Sequence, residues 1–346
     1  MKSPHALLIV CLLIPCGTVF SQSQNDTKVV GDADSLYIRT FIKPNDIRVF
    51  YGAQGNRMVL GSLQDGSPDL GGNLYRNTND FLGVGLTYKW IDGDLYFSLP
   101  GTTYLKEERS NLDQFKLSTS HTRRKIGYRA YLANSTGVIV SGNNDEYESD
   151  PSMHEFQMGV QATYVFNNRC YSYRAALFQS EEQVKTAGSF LLRGEVFYRS
   201  LGGSGQHIVP DVYDVVSRFG SQTGMTYLKA PGLLVMPGYG INVAIPHTKF
   251  FISPMMLAGL GAAFNTYKSD NGRREHVNME YSGTFLLNAG YNGGLLYGRL
   301  QFNYSASYSP IQPAYLTSVY WGVSLWVGLR FRDLHVFTSS RKSSKI

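Results

Sequence analysis

The sequence lacks the short motifs by which many soluble enzymes are recognised. It has no CxxC pair, no His-Glu-x-x-His zinc helix, no Gly-x-Ser-x-Gly elbow and no phosphate-binding loop. Cysteines number three, and two of them, Cys11 and Cys16, lie in an N-terminal apolar segment. Loss of that segment would leave Cys170 without an internal disulfide partner. Beyond it, no apolar run approaches the roughly 18 residues of a transmembrane helix. These absences argue against a helical membrane protein and give no support to metal, nucleotide or serine-hydrolase chemistry.

Charged residues are also scarce, whereas aromatic residues and glycine are abundant. The charged fraction is 17%, and the chain has 24 Tyr, 19 Phe and 36 Gly. This composition is typical of a protein with many strands, tight turns and aromatic belts at a membrane surface. The formal net charge of +6 is dispersed along the chain, so we expect no nucleic-acid partner.

The N-terminal segment has the pattern of an export signal. Lys2 supplies a positive charge, and the apolar run Ala6–Pro15 is too short to span a bilayer. We therefore predict a signal peptide at residues 1–21. A lipoprotein with Cys16 as the lipidated residue is the less favoured alternative, because Pro15 stands where a small residue is needed.

The clearest structural signal is the segment Leu316–Phe331, in which apolar residues recur at every second position. One face has Val319, Trp321, Val323, Leu325, Val327 and Leu329, and the other has Tyr320, Gly322, Ser324, Trp326, Gly328 and Arg330. A period of two indicates an extended strand with one apolar face. The segment is long enough to cross a bilayer at a tilt. Its terminal aromatic residue is typical of the last strand of a bacterial outer-membrane barrel.

Segments with the same period recur through most of the chain, and roughly 12 to 14 can be counted. Backbone groups in lipid must all be paired, so a sheet that crosses a membrane has to close on itself. Single-chain bacterial barrels close with an even number of strands. We therefore predict an all-β fold, a transmembrane antiparallel up-and-down β-barrel over residues 46–331, with about 12 strands and a range of roughly 10 to 14.

The short turns fit this barrel imperfectly. Three early turns connect alternate strands: Ile91–Gly93, Ser120–Arg123 and Asn167–Arg169. The alternation at Tyr171, Tyr173, Ala175 and Leu177 is counted as the strand that follows the third turn. With the strands counted in order, two later turns, Pro246–His247 and Gly293–Gly294, would lie at the other end of the barrel. Either a strand is miscounted between Leu201 and Gly232, or both rims carry short turns.

The stretch Tyr164–Phe190 carries three short motifs. They are Tyr-x-Phe-Asn at 164–167, Ser-Tyr-Arg-Ala-Ala at 172–176 and Gln-x-x-x-Ala-Gly-Ser at 183–189. Together they resemble the signature of the DUF4421 family of Bacteroidetes, and Asn79–Tyr88 is similar to an earlier block of that family. The resemblance covers residues 35–331. It implies an outer-membrane barrel and lends no activity.

A set of charged residues falls on the polar faces of the predicted strands. Its members are Arg174, Arg193, Glu195, Arg199, Glu280 and Arg299. In a barrel of about 12 strands this face lines a narrow lumen. We favour a ladder of ion pairs that braces the wall, because unpaired charges there are costly to desolvate. The alternative is a charged constriction that selects anions or holds a ligand.

Two further candidates for chemistry have weaker support. An acidic run offers oxygen ligands for calcium: Asp145, Glu146, Glu148 and Asp150. It lacks the glycine and glutamate spacing of an EF-hand, so we expect a solvated loop. A lipid hydrolase would need a Ser/His pair at the barrel rim, with His154 or His276 as the base, and no spacing selects such a pair.

These observations predict an integral barrel of the outer membrane of a Gram-negative bacterium, of structural or passive-channel type, with no catalysis, cofactor or metal. Residues 22–45 would form an N-terminal periplasmic segment, and residues 332–346 a polar, basic tail. The expected partners are outer-membrane lipid, a small solute, and the barrel-assembly machinery through the strand that ends at Phe331. A barrel-borne, lipid-modifying hydrolase and a secreted soluble β-protein are the alternatives.

Overall fold

The structure is a computed structural model that describes residues 27–28, 36–62, 73–89, 91–102, 113–141, 147–203, 208, 225–269, 272–311 and 314–332. Three predicted features lie outside these residues: the signal peptide at 1–21, the tail from 333 onward, and Asp145 and Glu146 of the acidic run. None of the helices in the described part of the chain is long and apolar enough to span a bilayer.

Strands make up nearly all of the described chain, together with a short helix. In chain order the elements are β1 (Thr27–Lys28), β2 (Ile38–Phe41), β3 (Asn45–Ser62), β4 (Asn73–Tyr88), β5 (Ile91–Ser98), β6 (Asp113–Thr122), β7 (Ile126–Ser141), β8 (Tyr147–Val165), α1 (Tyr173–Phe178), β9 (Glu181–Gln183), β10 (Ala187–Gly203), β11 (Tyr227–Ala244), β12 (Phe250–Ser269), β13 (Gly272–Asn292), β14 (Leu296–Ile311) and β15 (Ala314–Phe331).

Twelve of these strands form one closed antiparallel barrel, β3 to β8 and β10 to β15. The barrel closes where β15 pairs with β3 over their whole length, from Phe331 opposite Asn45 to Ala314 opposite Ser62. The hairpin of β5 and β6 is shorter than its neighbours, and beyond it β4 pairs directly with β7. The predicted all-β fold and the strand number of 12 are therefore confirmed.

The two ends of the barrel differ in their connections. We call the end that holds Asn45 and Phe331 the terminal end, and the other the distal end. Connections at the terminal end are 89–90, 123–125, 166–186, 245–249 and 293–295. Connections at the distal end are 63–72, 99–112, 142–146, 204–226, 270–271 and 312–313.

One predicted wall strand is wrong. The alternation at Tyr171 to Leu177 belongs to the connection between β8 and β10, where helix α1 forms instead. With this segment removed from the count, all the predicted turns fall at the terminal end. The later turns were predicted at the other end of the barrel because this segment was counted as a strand. The stretch Leu201–Gly232 is not the cause. Short connections also occur at the distal end.

The predicted turn at Ile91–Gly93 is also misplaced. The chain reverses between Tyr88 at the end of β4 and Ile91 at the start of β5, and Lys89 adopts a positive φ of 57°. Asp92 and Gly93 lie within β5, where they pair with Thr87 and Leu86 of β4. This placement matters because it puts Asp92 on a lumenal face instead of in a solvated turn.

Side chains alternate between the lumen and the outer surface as the period of two predicts. In β15, Ser324, Trp326 and Arg330 are buried, while Val323, Leu325 and Leu329 are exposed on the outer surface. The same alternation in the other strands gives the barrel an apolar exterior. The interior is polar on most strands, with apolar patches where the lumen is packed.

Candidate functional site in the barrel lumen

The connection between β8 and β10, residues 166–186, folds into the barrel, and we call it the inward loop. Asn167 joins the two ends of this loop. Its backbone N–H donates to Ser189 Oγ (2.9 Å), and its side chain donates to the Gly188 carbonyl (2.9 Å). Ser172 caps helix α1 by accepting a hydrogen bond from the Ala175 N–H. The three motifs that suggested the family therefore border or build the inward loop.

Wall side chains from three strands hold the carbonyl end of helix α1. Asn288 of β13 donates to the Ala176 carbonyl (2.7 Å), and Arg299 of β14 donates to the Leu177 carbonyl (2.6 Å). Arg330 of β15 donates to the Gln179 carbonyl. The last carbonyls of a helix have no partner within it, so these donors satisfy groups that would otherwise be orphaned. The inward loop is thereby tied to the wall opposite its own strands.

The chain segment N-terminal to the barrel also contacts the inward loop. Strand β2 pairs with β9 of the inward loop, Ile38 opposite Gln183, and β1 pairs with β2. Gln183 links the pieces by donating to the carbonyl oxygens of Tyr37 and Cys170. Phe41 of β2 packs under the Arg330 guanidinium at 3.8 Å. Part of the predicted N-terminal segment therefore packs against the inward loop.

Two apolar clusters fill much of the terminal half of the lumen. In the first, Tyr171, Tyr173 and Ala176 of the inward loop pack on inward-facing residues of β8 and β10 to β12: Val165, Leu191, Phe197, Leu234, Met236, Met255, Leu257 and Ala263. In the second, Phe50, Phe81 and Trp326 pack with Tyr96 on the opposite wall. Phe50 stacks on Trp326 with ring centroids 3.8 Å apart. Arg299 lies over Trp326 at 4.3 Å and joins the two clusters.

A charged layer lies beside the aromatic cluster, centred on Arg48. Its guanidinium pairs with Asp46 (2.9 Å), Asp92 (3.0 Å) and Asp94 (2.7 Å). The Arg48 side chain is 3% exposed, so these pairs are shielded from water. Tyr297 donates to Asp46 (2.7 Å). The layer braces β3, β5 and β14 to one another.

The residues predicted to line the lumen are distributed over several levels. Arg193, Glu195, Glu280 and Arg299 are buried on lumenal faces, and Arg199 pairs with Glu280 across two intervening strands (2.6 Å). Glu195 accepts a hydrogen bond from Tyr131 (2.7 Å), and Arg193 donates to Thr163 (3.3 Å). Arg174 is misplaced by the prediction: it lies in helix α1 and pairs with Glu181 (3.5 Å). The six residues do not converge on one point.

A polar cavity of about 110 Å³ lies in the lumen toward the distal end from the aromatic cluster. Apart from Ala133 and Ala306, the side chains around it are charged, amide-bearing or hydroxylated. The residues that line it are Asn56, Gln114, Lys116, Ala133, Ser135, Glu155, Gln157, Arg199, Ser282, Ser305, Ala306, Ser307, Ser318 and Tyr320. Of the predicted charged set, Arg199 alone lines it. No group of three or more His, Cys, Asp or Glu side chains that could hold a metal occurs among the described residues.

Arg48 and Lys116 are lumenal residues that the sequence analysis missed. Each stands between two apolar neighbours in a strand, Ile47 and Val49 for Arg48, and Phe115 and Leu117 for Lys116. The period of two would have placed both charges on lumenal faces. The carboxylates of Asp92 and Asp94 were hidden because an Asp-Gly pair is a strong turn signal.

A family model described as "Domain of unknown function (DUF4421)" matches residues 32–331. A search of the curated proteins finds no match.

Several solved structures show a weak likeness to this barrel. The Escherichia coli outer membrane protease OmpT has 8% identity and a TM-score of 0.39, over 83% of this chain and 96% of that one. The Pseudomonas putida toluene transporter TodX has 6% identity and a TM-score of 0.26, over 84% and 91%. OmpT, an outer membrane protein of Vibrio cholerae, has 8% identity and a TM-score of 0.31, over 82% and 98%. At these scores none of the three supports an inference about this chain.

Proposed function

The chain belongs to the DUF4421 family, and we propose that this member is an integral outer-membrane β-barrel with a structural role, whose lumen is closed to ions at rest. The inward loop is the observation that carries the proposal. It is held from β8, β10, β13, β14 and β15 and occupies the terminal half of the lumen. A passive channel would need that space to be free of protein.

The outer surface supports a position within a membrane. Aromatic pairs near the terminal end include Phe190 with Tyr239 and Phe250 with Tyr291. The pair of Phe156 with Tyr198 lies farther toward the distal end, at the middle of β8. The step from Phe190 to Tyr198 spans about 26 Å along the strand and about 20 Å along the axis at a tilt near 40°. This separation suits the apolar band of an outer-membrane barrel. A soluble protein would leave the same band in water, at the risk of aggregation.

Planar-bilayer recording tests the closed lumen. We expect the refolded full chain to give no steady conductance. A variant in which residues 169–186 are replaced by an Asn-Gly hairpin turn should conduct steadily, because the inward loop is removed while β8 and β10 stay paired. Equal conductance of the two proteins would contradict the proposal, and so would two silent proteins that both migrate as folded barrels.

The proposal includes the predicted recognition of the strand that ends at Phe331 by the barrel-assembly machinery. Phe331 ends the last strand and pairs with Asn45 of the first, so the terminal strand is complete in the closed barrel. We expect F331Q to reduce the amount of folded protein recovered in the outer-membrane fraction, with the exposed Leu329→Gln as a comparison for lost hydrophobicity alone. Recovery of the wild-type chain in the soluble periplasm would contradict the membrane position.

The proposal contains no catalytic step. His154 and His276 are exposed, and neither has a serine hydroxyl within hydrogen-bond distance in the described ranges. His276 is instead stacked against Tyr267, with ring centroids 6.0 Å apart. Lipid profiles of a deletion strain and its parent, compared by mass spectrometry, should be the same. A lipid species that changes on deletion and returns with the intact gene would contradict this part.

A further inference from the structure

Two opposite charges face the lumenal cavity without pairing with each other. Glu155 and Lys116 both line it. No ion pair of 4.0 Å or shorter joins either residue to another described residue. Opposite charges in a shielded space gain from direct contact, so their separation leaves two complementary sites on one cavity.

Glu155 forms the acceptor side of the cavity. Its exposed fraction is 7%, and its carboxylate accepts hydrogen bonds from Asn56 (2.6 Å) and from Gln157. Asn56 Oδ1 is buried and has no hydrogen-bond partner among the described residues. A carboxylate beside an unpartnered amide oxygen is a site for a cationic donor such as an ammonium group.

Lys116 forms the donor side. Its ammonium donates to the neutral Gln54 Oε1 (2.7 Å) and lies over the Tyr320 ring at 4.0 Å. An ammonium has three donors, and Gln54 accepts from one of them. The free donors suit a carboxylate or another small anionic group.

Other lumenal charges near the cavity have protein partners. Arg199 is paired with Glu280 (2.6 Å), and Glu195 is bonded to Tyr131 (2.7 Å). Arg199 therefore has an ion-pair partner, whereas the buried Glu155 and the half-buried Lys116 have only neutral hydrogen-bond partners. We propose that this cavity binds a small zwitterion, with its ammonium group at Glu155 and its carboxylate at Lys116.

The size of the cavity limits the ligand. A cavity of about 150 Å³ in another protein holds benzene, which has six non-hydrogen atoms. In the same proportion, the volume of about 110 Å³ here suits a ligand of about four or five such atoms. Glycine falls in this range. β-Alanine and 4-aminobutanoate are one and two carbons longer, and they test larger separations of the two charges. The inference rests on the polar lumen and not on whether the barrel conducts.

Titration calorimetry of the full chain in detergent tests the site, with those three zwitterions and with acetate and methylammonium as singly charged probes. We expect one zwitterion to bind at least about tenfold more tightly than either singly charged probe, because it satisfies both charges at once. E155Q and K116M should each weaken that binding by about tenfold or more. A133L, which fills the cavity while keeping both charges, should abolish it.

Glu195→Gln is the matched control, since Glu195 is a buried lumenal carboxylate outside the cavity lining. It should bind the zwitterion as the wild type does. The inference is overturned if no zwitterion binds at 50 mM (a concentration of about that order marks negligible affinity), if a singly charged probe binds equally well, or if E195Q weakens binding as much as E155Q. Conductance is recorded separately, so a conducting wild type would contradict the closed lumen and leave the binding result intact.

Discussion

Arg299, on the barrel wall, donates a hydrogen bond of 2.6 Å from Nη1 to the carbonyl oxygen of Leu177 in the inward loop. The same guanidinium lies over the Trp326 ring at 4.3 Å. One side chain therefore contacts both the inward loop and the aromatic cluster, whose Trp326 is its cross-strand neighbour on β15. This places Arg299 at the junction between the inward loop and the barrel wall.

Replacing Arg299 by Met should loosen the inward loop. The change removes the donor to Leu177 and leaves a buried carbonyl unsatisfied, so we expect the free energy of unfolding to fall by about 2 kcal/mol. Urea titration in detergent micelles measures the change. Arg129→Met is the control, because Arg129 also faces the lumen but is exposed. Equal losses in the two variants would show that the bond to Leu177 contributes nothing.

Replacing Arg48 by Met should destabilise the barrel more strongly. The variant leaves Asp46, Asp92 and Asp94 close together in a shielded layer without their shared cation. Loss of one partner from such a group costs about 3–5 kcal/mol. In urea unfolding the double variant R48M/D94N should recover part of this loss. A double variant less stable than R48M would argue against charge as the cause.

Glycine at position 83 should be required by packing. A Cβ there would overlap the Phe50 ring and approach the Leu95 carbonyl, whereas a Cβ at Gly194 meets nothing within 4 Å. We expect G83A to lower the unfolding free energy by about 1–3 kcal/mol through overpacking, and G194A to leave it nearly unchanged. Thermal unfolding followed by near-ultraviolet circular dichroism compares the two. A neutral G83A would mean that the aromatic cluster can move aside.

Adjacent residues of β15 should report opposite environments. Val323 is 37% exposed on the outer surface, while Ser324 is 6% exposed and faces the lumen. In a Cys170→Ser background, a spin label at Val323 should be relaxed by oxygen dissolved in lipid, and one at Ser324 should not. Power-saturation measurements in native membranes check this. Equal relaxation by oxygen at the two positions, or a water-accessible label at Val323, would contradict the membrane position.

The wall of this barrel could be predicted from the sequence because its two faces meet different surroundings. In β15 the alternation of Val323 and Leu325 with Ser324 and Trp326 holds throughout the strand, and the structure follows it. The same rule places Arg193, Glu195, Glu280 and Arg299 on lumenal faces, where the structure has them. Their individual partners could not be predicted, since these lie on other strands or in the inward loop.

The inward loop could not be recognised from alternation. Four apolar residues at a period of two from Tyr171 to Leu177 fit a strand, but so short a run also fits one helical turn packed inside a lumen. The deciding features are local: Ser172 caps the helix, and Gln179 ends it with a positive φ of 54°. The placement of Asp92 failed for a similar reason, since tertiary pairing with Arg48 overrides the turn preference of Asp-Gly.

The direct pairing of β4 with β7 beyond the short β5–β6 hairpin has a geometric consequence. Two strands drop out of the wall there, and the circumference of a closed sheet falls with its strand number. The barrel is thus narrower near its distal rim than over the rest of its length. Any molecule that enters from the distal rim must pass this narrower section before it reaches the wider part of the lumen.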